Sequence, residues 1–293
     1  MEKKISHSHD YDPALLEKML FKVSKRWIAG YSNIEAISEA RKSNDCGMSA
    51  ILNYLGEGYT EESQIERSVL EYFSLLNLLK MNGIRGSISV KPTQIGLCIG
   101  YDLCLENFGR ISKKAMESGH FMWLDIEHSD FVEDTLSIYL KVLANNRNTG
   151  VAIQSYLRRS YSDLLHLMEN SANLRIVKGA YSGEKNDAYQ SNSEISQNYS
   201  RLMNVMLKES SYNGIVAIAT HDSNLIDEAL ALSTTGSVKM KNLQFQFLKG
   251  IRDELKQKLV SDGYIVSEYM PYGEKWLQYS IRRIRERKRN IFL

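Results

Sequence analysis

Proline and cysteine are both scarce in this chain, with three of each in 293 residues. So few prolines exclude a Pro-rich linker. The cysteines, Cys46, Cys98 and Cys104, form no CxxC pair and have no histidines at ligand spacing. That excludes a disulfide framework or a zinc site and points to reduced thiols in a reducing compartment. No run of about 18 apolar residues exists, so no spanning helix is expected. The N-terminus, MEKKISHSHDYD, lacks the apolar stretch of a secretory signal. A cytoplasmic location follows. Charge of neither sign dominates: Lys and Arg total 37 against 35 Asp and Glu, a net charge of +2. That argues against a nucleic-acid partner, which calls for a broad basic excess. GxGxxG is also missing, so any dinucleotide must be held by something other than a Rossmann unit.

What the chain does have is a recurring short apolar run with polar residues at its end. SISVKPTQ (87–94), MWLDIEH (122–128), GVAIQSY (150–156), LRIVKGAY (174–181), GIVAIATHD (214–222), NLQFQFL (242–248) and YIVSEYMP (264–271) alternate with helix-like stretches. With MSAILNYLGE (48–57) they make about eight β-α units, enough to close a (βα)8 TIM-type barrel. The helices are expected over 14–28, 33–44, 61–82, 107–118, 131–145, 161–170, 192–210, 223–232, 251–261 and 274–290, with Thr60 and nearby acids starting the 61–82 helix. Residues 1–46 read as an N-terminal helical extension, and 47–293 as one barrel domain that includes a C-terminal helix over its mouth. SGEKNDAYQSNSE (182–194) is the one long polar insertion, readable as a lid or as a solvated connection.

In such a barrel the active site sits at the C-terminal strand ends. Here those ends carry Lys91, Asp125, Gln154, Lys178, Thr220 and His221, too many polar groups for a purely structural mouth. Arg282 and Arg283, with Tyr279 one turn earlier, suit a small carboxylate, because a guanidinium donates two parallel hydrogen bonds to both oxygens. Lys91 reads as a third cation. Asp125 needs a partner if buried, and Lys91 or Tyr279 is the expected one. Alternation along RIVKGAY puts Arg175 and Val177 on one face and Ile176 and Lys178 on the other. Gly179 and Ala180 leave room for close approach of a cofactor. His221 has no second histidine at ligand spacing, so no metal is expected.

Taken together, WIAGYSNIEAI, YLGE, VKPTQIG, LDIE, IQSYLRRSYSDL, LRIVKGAYSG, IATHD, FQFLKGI and EYMPYGEKWLQYSIRRIRE resemble the proline dehydrogenase family over roughly residues 27–290. VKGAY, ATH, a YxPYG turn and a terminal YxxRR in this order are the specific part. The resemblance implies an FAD-dependent barrel that oxidises L-proline to 1-pyrroline-5-carboxylate and passes the electrons to a quinone. It implies that Arg282, Arg283 and Lys91 hold the proline carboxylate, that Tyr279 closes over the ring, and that Leu248 and Tyr181 line the substrate side. It places Asp125 in the catalytic network and Arg175 beside flavin N5. Ile126, Gln154, Lys178, Gly179, Ala180, Thr220, His221 and Glu286 match positions associated with FAD.

Three departures stand out: Ser267 where Arg is common, Asp222 where Asn is usual, and Asn53 where Asp precedes YLGE. The chain stops soon after the arginine helix, so a separate pyrroline-5-carboxylate dehydrogenase is expected to act downstream. Arg285, Arg287, Lys288 and Arg289 read either as a solvated face or as a peripheral contact with anionic lipid. Three rival readings stay open from the sequence. They are a hydroxyproline dehydrogenase, a non-catalytic barrel that binds a small acid, and a lyase using Lys178 as a Schiff base.

Overall fold

Eight parallel strands close on themselves in chain order: β1 (Ser49–Tyr54), β2 (Gly86–Val90), β3 (Phe121–Leu124), β4 (Thr149–Gln154), β5 (Asn173–Val177), β6 (Val216–Ala219), β7 (Leu243–Leu248) and β8 (Ile265–Tyr272). Closure is made by β8 against β1, with Ser49 opposite Ser267 and Tyr54 opposite Tyr272. The structure is a computed structural model that describes residues 20–181, 183–209, 212–235 and 242–291; the side chains of Thr235 and of residues 284–291 lie outside that description. The helices are α1 (Asn33–Asp45), α2 (Glu62–Met81), α3 (Tyr101–Ser118), α4 (Val132–Leu143), α5 (Ser160–Glu169), α6 (Asn192–Lys208), α7 (Ser223–Thr235), α8 (Asp253–Ser261) and α9 (Trp276–Ile291).

Strand alternation divides the apolar residues between two cores. Ala50, Leu52, Ile88, Val90, Leu174, Ile176, Phe245 and Phe247 face outward and pack under the helices. Their neighbours point inward, where Ile51, Trp123 and Ala217 pack with Phe121, Ile215 and Tyr269. Gly150 on β4 is what lets the Trp123 ring fit, since a Cβ there would collide with it. The same alternation sends Asn53, Ser89, Arg175, Gln246 and Ser267 into the barrel, all nearly inaccessible to solvent. The interior is therefore apolar at its base and polar toward its mouth.

Capping boxes start α1 (Ser32 with Glu35) and α6 (Ser191 with Glu194). Two helix starts differ from the sequence expectation. α2 begins after Glu61, whose side chain makes no cap bond, so Thr60 does not start it. α3 begins at Tyr101 rather than 107, behind Gly100, which has no side chain to act as a cap. The expected strands ran on past the true strand ends, because the residues beyond them are the apolar and polar loops that build the mouth.

α1 packs on β8 and β1, the slot that the helix following β8 takes in a regular barrel. α9 is thereby free to cross the mouth. Its Trp276 and Tyr279 pack with Trp27, Ile28 and Leu55, and its Arg282 reaches Glu57 just beyond β1. Of the helix expected over 14–28, only 20–24 is helical within the described residues, and 14–19 lie outside them. The polar insertion is fastened down: Arg158 N–H donates to Asp187 O at 2.8 Å, Tyr189 N–H to Tyr156 O at 2.8 Å, and Ala188 is buried. Ser182 lies outside the described residues.

Candidate active site

Inside the mouth, Asp125 is the centre of a buried network. Its Oδ1 accepts Ser89 Oγ–H at 2.7 Å and Arg175 Nη1–H at 2.6 Å. Its Oδ2 accepts the Tyr269 hydroxyl at 2.7 Å. The sequence expectation of Lys91 or Tyr279 as the partner is corrected. β5 puts Arg175 on the same inward face as Trp123, and an interior guanidinium must find the nearest carboxylate. Arg175 lies 4.5 Å over the Trp123 ring and 5.7 Å from that of Tyr269. Burial, only partly offset by Asp125, lowers its pKa from the usual arginine value.

Lys91 pairs with Glu57 instead, Nζ to Oε2 at 2.5 Å, and the other oxygen of Glu57 accepts Arg282 Nη1–H at 3.1 Å. Burial alone would push the Lys91 ammonium down, but Tyr181, Glu127 and Glu57 outweigh it and hold the group above its ordinary value. Burial raises the Glu57 carboxyl, and the two cations more than reverse that, leaving it below the usual range. Tyr181 is pushed up to about 12 by burial, with Glu127 and Glu57 adding and Lys91 and Arg282 opposing. Glu57 thus draws Lys91 and Arg282 together under α9, and Tyr181 interacts electrostatically with all three. Arg282 and Arg283 hold their guanidinium carbons 5.8 and 5.4 Å from the Tyr279 ring centre. One carboxylate, that of Glu57, bridges Lys91 and Arg282.

The remaining sequence-selected residues ring the β4–β7 side. Gln154, buried, donates to Glu127 O at 2.7 Å. Ile126 is buried in the outer core. Gly179 adopts φ +107°, and a Cβ there would collide with Tyr156, so glycine gives the chain its closest approach at this strand end. Ala180 is exposed beside it. Thr220 Oγ1 accepts Asp222 N–H at 3.2 Å. His221 Nε2 accepts the backbone N–H of Leu248 at 3.0 Å. Burial, with Arg283, Lys256 and Arg252 adding, lowers the imidazole pKa from 6.5 to about 4, so the ring is neutral with its proton on Nδ1. Lys178 points elsewhere, to Asp222 and Ser196. That placement gives a Schiff-base reading no support. The Glu286 side chain lies outside the described residues.

Sequence reasoning missed Glu57, Ser89, Trp123, Glu127 and Tyr269. Glu127 is buried, accepting the N–H and Oγ–H of Thr93 at 2.8 and 2.7 Å; burial raises its pKa against the pull of Lys91 and Thr93. Ser89 and Tyr269 carried a usable signal, since alternation puts both on the inward faces of their strands. Glu57 carried none, for it lies in a loop read as a helix start.

A flavin fits the residues present. Arg175 Nε and Nη2 and the Gln246 Oε1 are buried without a hydrogen-bond partner among the described residues, an arrangement that is costly unless a bound group satisfies it. Those atoms belong to side chains that strand alternation sends into the barrel.

A closed (βα)8 barrel with an ion-paired interior and charged side chains gathered at its mouth is the architecture of a barrel enzyme. The proline dehydrogenase family profile matches residues 36–291. The chain is 32% identical over 281 residues to proline dehydrogenase of Deinococcus radiodurans, covering 94% of this chain and 90% of that one. It is 30% identical over 267 residues to proline dehydrogenase 1 of Bacillus subtilis, covering 91% and 87%. The chain belongs to the proline dehydrogenase family, whose reaction is the first step of proline breakdown. Among solved structures, proline utilization A of Bdellovibrio bacteriovorus, inactivated by N-propargylglycine, superposes with a TM-score of 0.85 at 22% identity. That match covers 92% of this chain and 33% of the other, and it bears on the fold. The Corynebacterium freiburgense protein of the same name gives 0.80 at 21% identity, over 93% and 32%.

Proposed function

We propose that this chain oxidises L-proline to 1-pyrroline-5-carboxylate with bound FAD and hands the electrons to a quinone. The observation that carries the reading is the pairing of a carboxylate clamp (Lys91 and Arg282, already bridged by Glu57) with a buried guanidinium whose Nε and Nη2 have no partner among the described residues. The reaction removes a hydride from the ring carbon beside nitrogen and a proton from that nitrogen, leaving a C=N bond; FAD supplies the hydride acceptor.

Arg282, Arg283 and Lys91 bind the proline carboxylate, and the exchange of Glu57 for substrate carboxylate keeps the charge balanced. Tyr279, packed with Trp276 and Leu55, covers the ring, while Tyr181 and Leu248 line its side. Asp125, fixed by Ser89, Tyr269 and Arg175, holds that arginine in place toward the cofactor. Gln154, Thr220, His221, Ile126 and the Lys178–Ala180 backbone complete the FAD set, with Glu286 on α9. Positioning is the main contribution of such a site.

A tyrosine rather than a smaller residue at 279 leaves less space for a ring hydroxyl, which favours proline over hydroxyproline. This reading keeps the division into 1–46 and 47–293, of which residues 1–19, 182, 210–211, 236–241 and 292–293 lie outside the described ones. Among the described residues no helix is long and apolar enough to cross a membrane. A cytoplasmic enzyme that touches an anionic membrane surface through Arg285, Arg287, Lys288 and Arg289, whose side chains lie outside the described residues, would meet its quinone there. A separate dehydrogenase then takes the product.

The test is Arg282→Met and Arg283→Met, assayed for proline oxidation and FAD content. KM for proline should rise roughly ten- to thousand-fold with FAD retained; solvent screening of half-exposed arginines sets the lower end. A near-normal KM in both variants places the carboxylate elsewhere and defeats the assignment.

A further inference from the structure

Between the ends of β5 and β6, Lys178 Nζ lies 2.7 Å from Asp222 Oδ2 and 2.9 Å from Ser196 Oγ. Asp222 also reaches a helix start, where its Oδ1 accepts the backbone N–H of Asn224 at 3.1 Å, in the first turn of α7. One carboxylate thus occupies both a cation and the positive end of a 13-residue helix, two features to which an anion is drawn. The pair is open to solvent, with side chains 34% and 28% exposed. Both positions adjoin residues already assigned to the cofactor, Gly179 on one strand end and Thr220 and His221 on the next. The anionic part of FAD is its pyrophosphate, and a carboxylate held against a lysine that adjoins the proposed cofactor residues opposes it. Asn at this position would cap the helix equally well and carry no charge. The carboxylate is therefore not needed for the cap.

We propose that Asp222 is an internal counter-anion to Lys178 that competes with the cofactor's pyrophosphate and so sets the affinity of this chain for FAD below what its cations alone would give. The proposal rests on the flavoprotein reading and adds a determinant of cofactor affinity to it. Asp222 acts through Lys178 and through charge, as a positioning residue. The carboxylate also fixes the Lys178 ammonium between α6 and α7 before cofactor arrives, so that FAD must displace it.

The test dilutes the holoenzyme and follows released flavin by its fluorescence, at low and at high salt. Asp222→Asn should lower the dissociation constant of FAD about three- to tenfold at low salt, the size expected for one charge a few ångströms away at a partly exposed site. The gain should shrink at high salt, because screening removes it; a change in packing or capping would not respond to salt in this way. Asp222→Ser, a neutral residue that also caps, should behave likewise. Lys178→Met should weaken FAD binding and steepen flavin loss on dilution. Unchanged or weaker FAD binding in both Asp222 variants, or a gain indifferent to salt, overturns the proposal while leaving the flavoprotein reading intact. A wild-type chain that binds no FAD removes that reading, and the proposal with it.

Discussion

Replacing Asp125 with alanine should destabilise this protein more than most single changes in the barrel. The carboxylate is the counter-charge of Arg175, whose side chain is 4% exposed, and it also accepts the hydroxyls of Ser89 and Tyr269. Alanine leaves a buried guanidinium uncompensated and two buried hydroxyls short of an acceptor. Removing one partner of such a pair costs about 3–5 kcal/mol. At roughly 2–4 °C per kcal/mol for a chain near this size, the melting temperature should fall by roughly 6–20 °C. The assay is thermal and urea unfolding followed by two probes, so that a shared midpoint licenses a two-state reading. Arg175→Met added to Asp125→Ala should recover part of the loss, because the double variant no longer buries an unpaired charge. A double-mutant cycle should therefore show a coupling of at least about 1 kcal/mol. An Asp125→Ala protein within about 1 kcal/mol of wild type, or strictly additive effects, would refute the reasoning.

His221 predicts a pH dependence. Its ordinary pKa of 6.5 falls to about 4 in the folded protein. Between those values the unfolded chain takes up a proton that the folded one does not. Stability is therefore complete above about pH 6.5 and falls as pH drops toward 4, by on the order of 3 kcal/mol from this group. His221→Gln should flatten that part of the profile, and an unchanged slope in urea midpoints against pH would count against the assignment. Tyr279→Ser should remove the ring that packs with Trp276 and lies beside both arginines. It should reduce kcat/KM for L-proline and narrow its advantage over hydroxyproline; an unchanged ratio means that Tyr279 does not face the substrate.

The barrel was readable in the sequence because each strand is a short apolar run bounded by a helical stretch, and eight such runs leave few other closures. Its edges were less readable. Apolar residues continue past β2, β3 and β5 into the mouth, and α3 starts behind Gly100, which offers no capping side chain. The charged mouth was legible from residue types at strand ends, which selected Lys91, Asp125, Arg175 and the α9 arginines. Their partners were not. Asp125 bonds to Ser89, Arg175 and Tyr269, which are 36, 50 and 144 positions away in the chain, and only the closed register brings them together. Glu57 was hidden for a related reason: its role appears only once α9 crosses the mouth and sets Arg282 against the loop after β1.

The measurement that bears most directly on the central claim is the visible spectrum of the purified protein during anaerobic addition of L-proline. The account predicts about one flavin per chain, bleaching of its absorbance by L-proline, and formation of an equal amount of pyrroline-5-carboxylate. A protein reconstituted with FAD whose flavin spectrum stays unchanged at saturating L-proline would contradict it.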